Sequence, residues 1–137
     1  MLSVLMRTLT VLVIALAVLA TPSPVFARGG DDEIRSEFRT SGSCARGISS
    51  ELRAKGDDGA IELRFELRGA RRASTWRVAI VQERDVVWRE TGRLRGSSRS
   101  LRVERVLRDL PGADAIGVRA LGPQGASCWA EGTLHGD

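Results

Sequence analysis

The strongest pattern in the chain is an alternation of apolar and polar residues between positions 60 and 81, interrupted by the stretch 69–74. Its apolar positions are Ile61, Leu63, Phe65, Leu67, Trp76, Val78 and Ile80. A period of two places successive side chains on opposite faces of a β-strand. The pattern therefore predicts two strands joined by a short loop, with Trp76 in the core. Because two strands cannot bury an apolar face alone, we expect the flanking segments to supply a second layer.

Five further segments have the composition of strands and are separated by residues typical of turns. The segments are 48–55, 86–91, 100–107, 115–121 and 126–134. The turns, loop and corner between strands are predicted at 56–59, 82–85, 92–99, 109–114 and 122–125. A weakly extended segment, 37–44, precedes the first strand. The sequence thus predicts an all-β fold, an antiparallel β-sandwich of about seven strands.

The first 27 residues have the three parts of a secretory signal peptide. Arg7 supplies a positive charge, residues 9–20 form an apolar segment, and residues 25–27 provide a cleavage site. The apolar segment is shorter than the stretch of about 20 residues that crosses a membrane. We therefore expect a helical signal peptide that is cleaved after Ala27, and a secreted protein with no stable membrane insertion after processing. An uncleaved anchor is the alternative.

The mature chain is expected to contain one domain with short polar ends. Residues 28–36 are polar and rich in glycine, which predicts a flexible leader. The β-sandwich domain is then expected over residues 37–134, followed by a polar tail at 135–137.

Charge is informative in this chain through its placement rather than its amount. The chain has 21 basic and 17 acidic residues, a formal net charge of +4, and Lys55 as its only lysine. A bias toward arginine codons in a GC-rich genome explains this composition without reference to function. So small a net charge does not by itself indicate a nucleic-acid partner.

Successive turns lie at alternate ends of a sandwich, because antiparallel strands alternate in direction. One end is then expected to carry the loop residues Arg71, Arg72, Arg93, Arg95 and Arg99. The other is expected to carry Asp57, Asp58, Glu83, Asp85, Asp109 and Asp114. Arginine binds phosphate and carboxylate groups in a bidentate manner, so the basic end is a candidate site for a teichoic acid, an acidic glycan or extracellular nucleic acid. The alternative is that the loop charges are simply solvated.

The two cysteines, Cys44 and Cys128, predict one disulfide in an exported chain. The alternation of strand direction places both residues near the basic end, as a disulfide requires. Free thiols or intermolecular bridges are the alternative.

The sequence assigns no catalytic residue, cofactor or metal site. The only histidine is His135, in the predicted tail, and both cysteines are expected to be consumed by the disulfide. No phosphate-binding loop, metalloprotease motif or nucleophile elbow is present, and the acidic end lacks the ligand spacing of a calcium loop. Trp88 and Trp129 are candidate contacts for a sugar or protein partner if they are exposed. The alternative is that the 37–43 segment covers one of them through Phe38.

The order of these features resembles the plan of immunoglobulin and fibronectin type III domains. The resemblance covers residues 37–134 and lies in a tryptophan, Trp76, on the strand after the one at 61–68, and in an Asp-x-x-Gly corner at 109–112. More narrowly, the sequence resembles small secreted actinobacterial β-sandwich proteins of unassigned function. Two features depart from the immunoglobulin plan: the cysteines join the first and last strands, and the corner tyrosine is absent. The resemblance implies an immunoglobulin-like sandwich and no particular activity.

These observations favour a secreted, non-catalytic interaction domain that binds a protein or an anionic envelope polymer through its loop ends. Two alternatives stay open: an extracellular hydrolase that uses acidic loop residues, and a structural module that self-associates through its oppositely charged ends. The sequence leaves the oligomeric state open.

Overall fold

The structure, a computed structural model, describes residues 36–45 and 47–135. Within these ranges the chain forms two antiparallel β-sheets and one short 3-10 turn, Pro123–Gly125. The strands are β1 (Glu37–Ser41), β2 (Ser43–Cys44), β3 (Ser49–Asp57), β4 (Ala60–Arg68), β5 (Thr75–Gln82), β6 (Asp85–Arg93), β7 (Ser100–Arg108), β8 (Asp114–Leu121) and β9 (Ser127–Leu134).

Several of the predictions concern residues outside the described ranges. These are the signal peptide at 1–27, all but the last residue of the leader at 28–36, and the final two residues of the tail at 135–137. No helix in the described part of the chain has the length and apolar character needed to cross a membrane.

The arrangement of the strands confirms the predicted β-sandwich. One sheet has four strands in the order β1-β3-β4-β7, and the other has five in the order β2-β9-β8-β5-β6. The seven predicted strands are present as β3 to β9, with ends that differ from prediction by two residues or fewer. The difference is clearest at the first hairpin, where only Asp58 and Gly59 separate β3 from β4. Both residues have positive φ, which a two-residue hairpin turn requires.

The two strands of the alternating stretch lie in different sheets. β4 pairs with β3 and β7, whereas β5 pairs with β6 and β8. The loop at 69–74 carries the chain across the sandwich, so the apolar faces of β4 and β5 belong to opposite layers. The second layer that was expected from the flanking segments is therefore supplied in part by the alternating stretch itself.

The core lies between the sheets, and its largest fully buried side chain is Trp76, which is 1% exposed. Its indole Nε1 donates a hydrogen bond to Ser74 Oγ at 3.0 Å, and that hydroxyl donates to the carbonyl oxygen of Arg71 at 2.6 Å. Gly122 lies against the ring, because a Cβ at this position would come within 2.6 Å of Trp76 Cζ2. These contacts attach the loop at 69–74 to the core.

The segment predicted to be weakly extended forms two short strands that belong to different sheets. β1 pairs with β3, and β2 pairs with β9. The chain changes sheets at Gly42, where a Cβ would overlap Ser50 Oγ and lie 3.0 Å from the carbonyl oxygen of Trp129. A glycine is therefore required at the crossing.

The predicted disulfide is present and joins β2, near the start of the domain, to β9, its last strand. Cys44 of β2 lies directly opposite Cys128 of β9, and their Cα atoms are 4.2 Å apart. Neither cysteine is free. The bridge links residues 84 positions apart in the sequence, so it closes a loop that contains most of the sandwich.

Candidate functional site

The loops at the basic end are joined to each other by backbone hydrogen bonds. The amide of Ala70 donates to the carbonyl oxygen of Arg99 at 3.0 Å, and the amide of Leu94 donates to the carbonyl oxygen of Ser74 at 3.0 Å. Ala70 and Leu94 are both buried, which holds the two loops against the core. The structure therefore brings the loops at 69–74 and 94–99 together at one end of the sandwich.

The five arginines predicted for this end are all exposed. Arg71 Nη1 donates a hydrogen bond to Gln124 Oε1 at 3.0 Å, which connects its loop to the turn before β9. Arg93 is a correction to the prediction, because it is the last residue of β6 rather than part of a loop. Arg93 and Arg95 line an open recess of about 560 Å³, together with Glu90 of β6.

The outer face of the four-stranded sheet differs from this end because its arginines are paired with carboxylates. Its five ion pairs are Arg53–Glu37 at 2.6 Å, Arg68–Glu66 at 2.7 Å, Arg64–Glu104 at 2.8 Å, Arg39–Glu51 at 3.3 Å and Arg102–Glu66 at 3.4 Å. The hydrogen bond from Arg53 lowers the pKa of Glu37, and the one from Arg68 lowers the pKa of Glu66. The positive charge on this face is therefore largely neutralised within the protein.

None of the five loop arginines takes part in an ion pair with another described residue. Six such pairs occur in residues 36–45 and 47–135, and they involve Arg39, Arg53, Arg64, Arg68, Arg102 and Arg105. Apart from the Arg71 N–H that binds Gln124, the arginines at the basic end thus keep their hydrogen-bonding capacity for an external anion.

The outer face of the five-stranded sheet carries a second group of unpaired arginines, which sequence reasoning missed. Arg77 on β5, Arg89 on β6 and Arg119 on β8 are exposed and form no ion pair among the described residues. Arg77 and Arg119 alternate with buried core positions of β5 and β8, so the period of two was the signal that could have found them. Arg89 shares their face because it lies opposite Ala79 in the register of β5 and β6. Trp129 lies on this face and is 37% exposed.

The other candidate tryptophan, Trp88, has a different environment. It points toward the inner side of β6 at the edge of the sandwich, opposite Ile80, and is half-buried. The guanidinium of Arg105 lies 4.4 Å from its ring centroid and forms an ion pair with Glu90 at 3.0 Å. Arg105 therefore covers one face of the Trp88 ring. Phe38 packs against Gly132 on the inner side of β9.

The acidic end requires a correction at Asp114, which was expected on an exposed corner but is 1% exposed. Gln82 Nε2 donates hydrogen bonds to Asp114 Oδ1 at 2.9 Å and to the carbonyl oxygen of Arg108 at 2.7 Å. Burial raises the pKa of Asp114, and the neighbouring carboxyl of Asp109 raises it further, while the hydrogen bond from Gln82 acts in the opposite direction. Asp114 therefore has a structural position, in which it holds the corner between β7 and β8.

No group of three or more histidine, cysteine, aspartate or glutamate side chains that could hold a metal ion occurs in the described part of the chain. The turn at Asp58 and the corner at Asp109 do meet, since the amide of Asp109 donates to the carbonyl oxygen of Gly59 at 3.2 Å.

Comparison with known protein families, with curated proteins and with solved structures finds no match for this chain. Any assignment of function must therefore come from the residues themselves.

Proposed function

We propose that this chain is a secreted, non-catalytic interaction domain that binds an anionic envelope polymer through the loops at its basic end. The observation that carries the proposal is the contrast in pairing between the exposed loop arginines and the ion-paired arginines of the four-stranded sheet. Clustered charges of one sign produce a local potential that attracts a partner of the opposite sign. Arginine is suited to such a partner because its guanidinium binds phosphate and carboxylate groups in a bidentate manner.

Two features support export and an immunoglobulin-like plan. A single disulfide is typical of proteins in oxidising compartments, which agrees with the signal peptide predicted at 1–27. If β3 to β9 take the roles of immunoglobulin strands A, B, C, C′, E, F and G, the sheets have the orders A-B-E and G-F-C-C′. In this scheme β1 and β2 are additions that extend the edges of the two sheets.

The proposal is tested by removing the same amount of charge from two different places on the secreted protein. One variant replaces by serine the five loop-end arginines Arg71, Arg72, Arg93, Arg95 and Arg99. The control variant replaces by serine the five ion-paired arginines Arg39, Arg53, Arg64, Arg68 and Arg102. Retention on heparin and teichoic-acid columns is measured for both, and circular dichroism checks that each variant is folded.

We expect the loop variant to elute at lower salt than the wild type, and the control variant to elute close to the wild type. Equal shifts of the two variants would mean that only net charge matters, and unchanged retention of the loop variant would remove the basic end from consideration. Light scattering at low salt and in about 0.5 M salt tests for self-association through opposite ends. The Debye length in about 0.5 M salt is only a few ångströms, so assemblies held by these charges would disperse there.

A further inference from the structure

The outer face of the five-stranded sheet combines an exposed aromatic ring with unpaired arginines. Trp129 on β9 lies over Gly117 on β8, because a Cβ at Gly117 would come within 2.5 Å of the indole Cη2 and 2.8 Å of Cζ2. Because Gly117 has no side chain, the indole ring can pack directly against the sheet, and the sheet supports one side of the ring. Trp129 as a whole residue is still 37% exposed, so part of its surface is available to a ligand.

Two arginines of this face, Arg119 and Arg89, lie in the same row of cross-strand partners as Trp129. In the strand register Trp129 is opposite Arg119, Arg119 is opposite Ala79, and Ala79 is opposite Arg89. The small side chain of Ala79 leaves the space between the two arginines open. Since neighbouring strands are about 4.8 Å apart, the backbones that carry Arg119 and Arg89 are separated by about 10 Å. Arg77 lies outside this row, two positions from Ala79 along β5 and closer to the basic end.

Little negative charge opposes these arginines on the same face. Among the outward positions of β5, β8 and β9, Glu131 is the one acidic residue. The opposite sheet has a carboxylate partner for five of its outward-facing arginines, as described above. The unpaired guanidinium groups therefore distinguish this sheet face as a surface for an anionic ligand.

We infer that this face is a second binding site, and that its ligand is an acidic polysaccharide. A sugar ring of the chain packs its apolar C–H face on Trp129, and acidic groups of the chain bind Arg119 and Arg89, about 10 Å apart. The inference rests on the proposed function in so far as the ligand is an anionic polymer. It adds the requirement that the polymer contain rings, which arginines alone would not impose.

The chemistry of the face favours a polysaccharide over a ring-free polyanion or a single-stranded nucleic acid. A linear polyphosphate has nothing to place on an indole, so Trp129 would contribute nothing to its binding. Sites for single-stranded nucleic acid stack successive bases on several aromatic side chains. Among the described residues this face has one exposed aromatic side chain, Trp129, because Trp88 lies on the inner side of β6 opposite Ile80 and Trp76 is buried. One ring platform with flanking arginines matches one sugar ring with flanking acidic groups.

The decisive experiment compares dissociation constants of the secreted protein for a heparin oligosaccharide and for inorganic polyphosphate. Trp129→Ala is expected to weaken binding of the oligosaccharide about tenfold, the effect typical of a tryptophan anchor, and to leave polyphosphate binding within about twofold. Gly117→Ala is expected to act in the same direction while keeping the indole, since the new Cβ displaces the ring. Thermal unfolding of each variant shows whether the fold is kept.

Charge on this face is tested with a matched pair of triple variants. Replacing Arg77, Arg89 and Arg119 by glutamine should weaken oligosaccharide binding more than tenfold, while the same change at the paired residues Arg39, Arg53 and Arg64 should have little effect. Equal losses in the two triple variants would overturn the inference. The inference would also be overturned if Trp129→Ala bound the oligosaccharide and polyphosphate as the wild type does, or weakened both equally. A thymidine oligonucleotide serves as a third ligand, and a loss of affinity mainly for this ligand would overturn the inference as well.

Failure of this inference and failure of the proposed function give different results. If the loop-end arginines are not a binding site, the serine variant of the loop end keeps polyphosphate binding, and the effect of Trp129→Ala on the oligosaccharide is still observed. If only the sheet face is wrong, the loop variant loses both ligands and the Trp129→Ala variant loses neither.

Discussion

Replacement of Asp114 by asparagine should remove a pH-dependent part of the stability while keeping the corner between β7 and β8 intact. Burial raises the folded-state pKa of Asp114 above its ordinary value of 3.8. The folded protein therefore holds this proton more tightly than the unfolded chain does. The resulting stabilisation is fully present below pH 3.8 and is lost as the pH rises through the folded-state pKa. An asparagine has the shape of the protonated acid and does not titrate, so it lacks this dependence.

The hydrogen bonds of Asp114 determine how much stability is lost when its side chain is truncated to alanine. In Asp114→Ala, one N–H of the Gln82 amide loses its acceptor, although the amide keeps its bond to the carbonyl oxygen of Arg108. An unsatisfied buried group costs about 1–3 kcal/mol, so the alanine variant should lose about that amount of stability. Asp114→Asn should stay within about 1 kcal/mol of the wild type at neutral pH, the net value of one ordinary hydrogen bond.

Urea denaturation between pH 3 and pH 7 measures both effects. The wild type should gain stability relative to Asp114→Asn as the pH falls through the folded-state pKa of Asp114, and the difference should level off below pH 3.8. The pKa values of Glu37 and Glu66 are lowered, so their contributions are lost at acid pH, but they cancel in the comparison because both proteins contain them. A difference that is independent of pH, or that changes in the opposite direction, would refute the assignment of a raised pKa to Asp114.

Two further predictions concern the segment that joins the two sheets. The disulfide closes a loop across 84 positions, so replacing Cys44 and Cys128 by alanine should lower the free energy of unfolding by up to about 4.6 kcal/mol on the chain-entropy estimate. Alkylation of the unfolded wild type should add no mass, and an alkylated cysteine or a loss below about 1 kcal/mol would count against the bridge. Gly42→Ala should destabilise the fold by about 1–3 kcal/mol through overlap with Ser50. Gly56→Ala is the control, because the atom nearest to its Cβ would be the carbonyl oxygen of Ser36 at 3.6 Å, an ordinary contact distance. Equal unfolding midpoints for the two variants would exclude a special role for Gly42.

The strands could be predicted from the sequence because local signals specify them. Alternation located β4 and β5, and the turn residues at 56–59 located the first hairpin, whose loop consists of Asp58 and Gly59 in the structure. The division of residues 37–44 into β1 and β2 was not predictable in this way. It depends on the close approach of Gly42 to Ser50, a contact between segments that is created only when the sheets form.

The candidate site shows the same limit for charged residues. Sequence reasoning placed five arginines at one end, but whether an arginine has a carboxylate partner depends on the register between strands. Arg77 and Arg119 lie on neighbouring strands whose pairing cannot be inferred from either strand alone. Asp114 was assigned to an exposed corner because turn residues are usually solvated, whereas Gln82, which shares the inward side of β5 with Ile80, provides a buried partner.

Both proposed sites rely on arginines that have no carboxylate partner in the described part of the protein. An NMR titration of the labelled secreted protein with a heparin oligosaccharide tests this directly, through the Nε–H signals of arginine side chains and the indole signal of Trp129. The predicted result is that Arg89, Arg119, Trp129 and the loop-end arginines shift while Arg53 does not. Shifts confined to the ion-paired face of the four-stranded sheet would contradict the account.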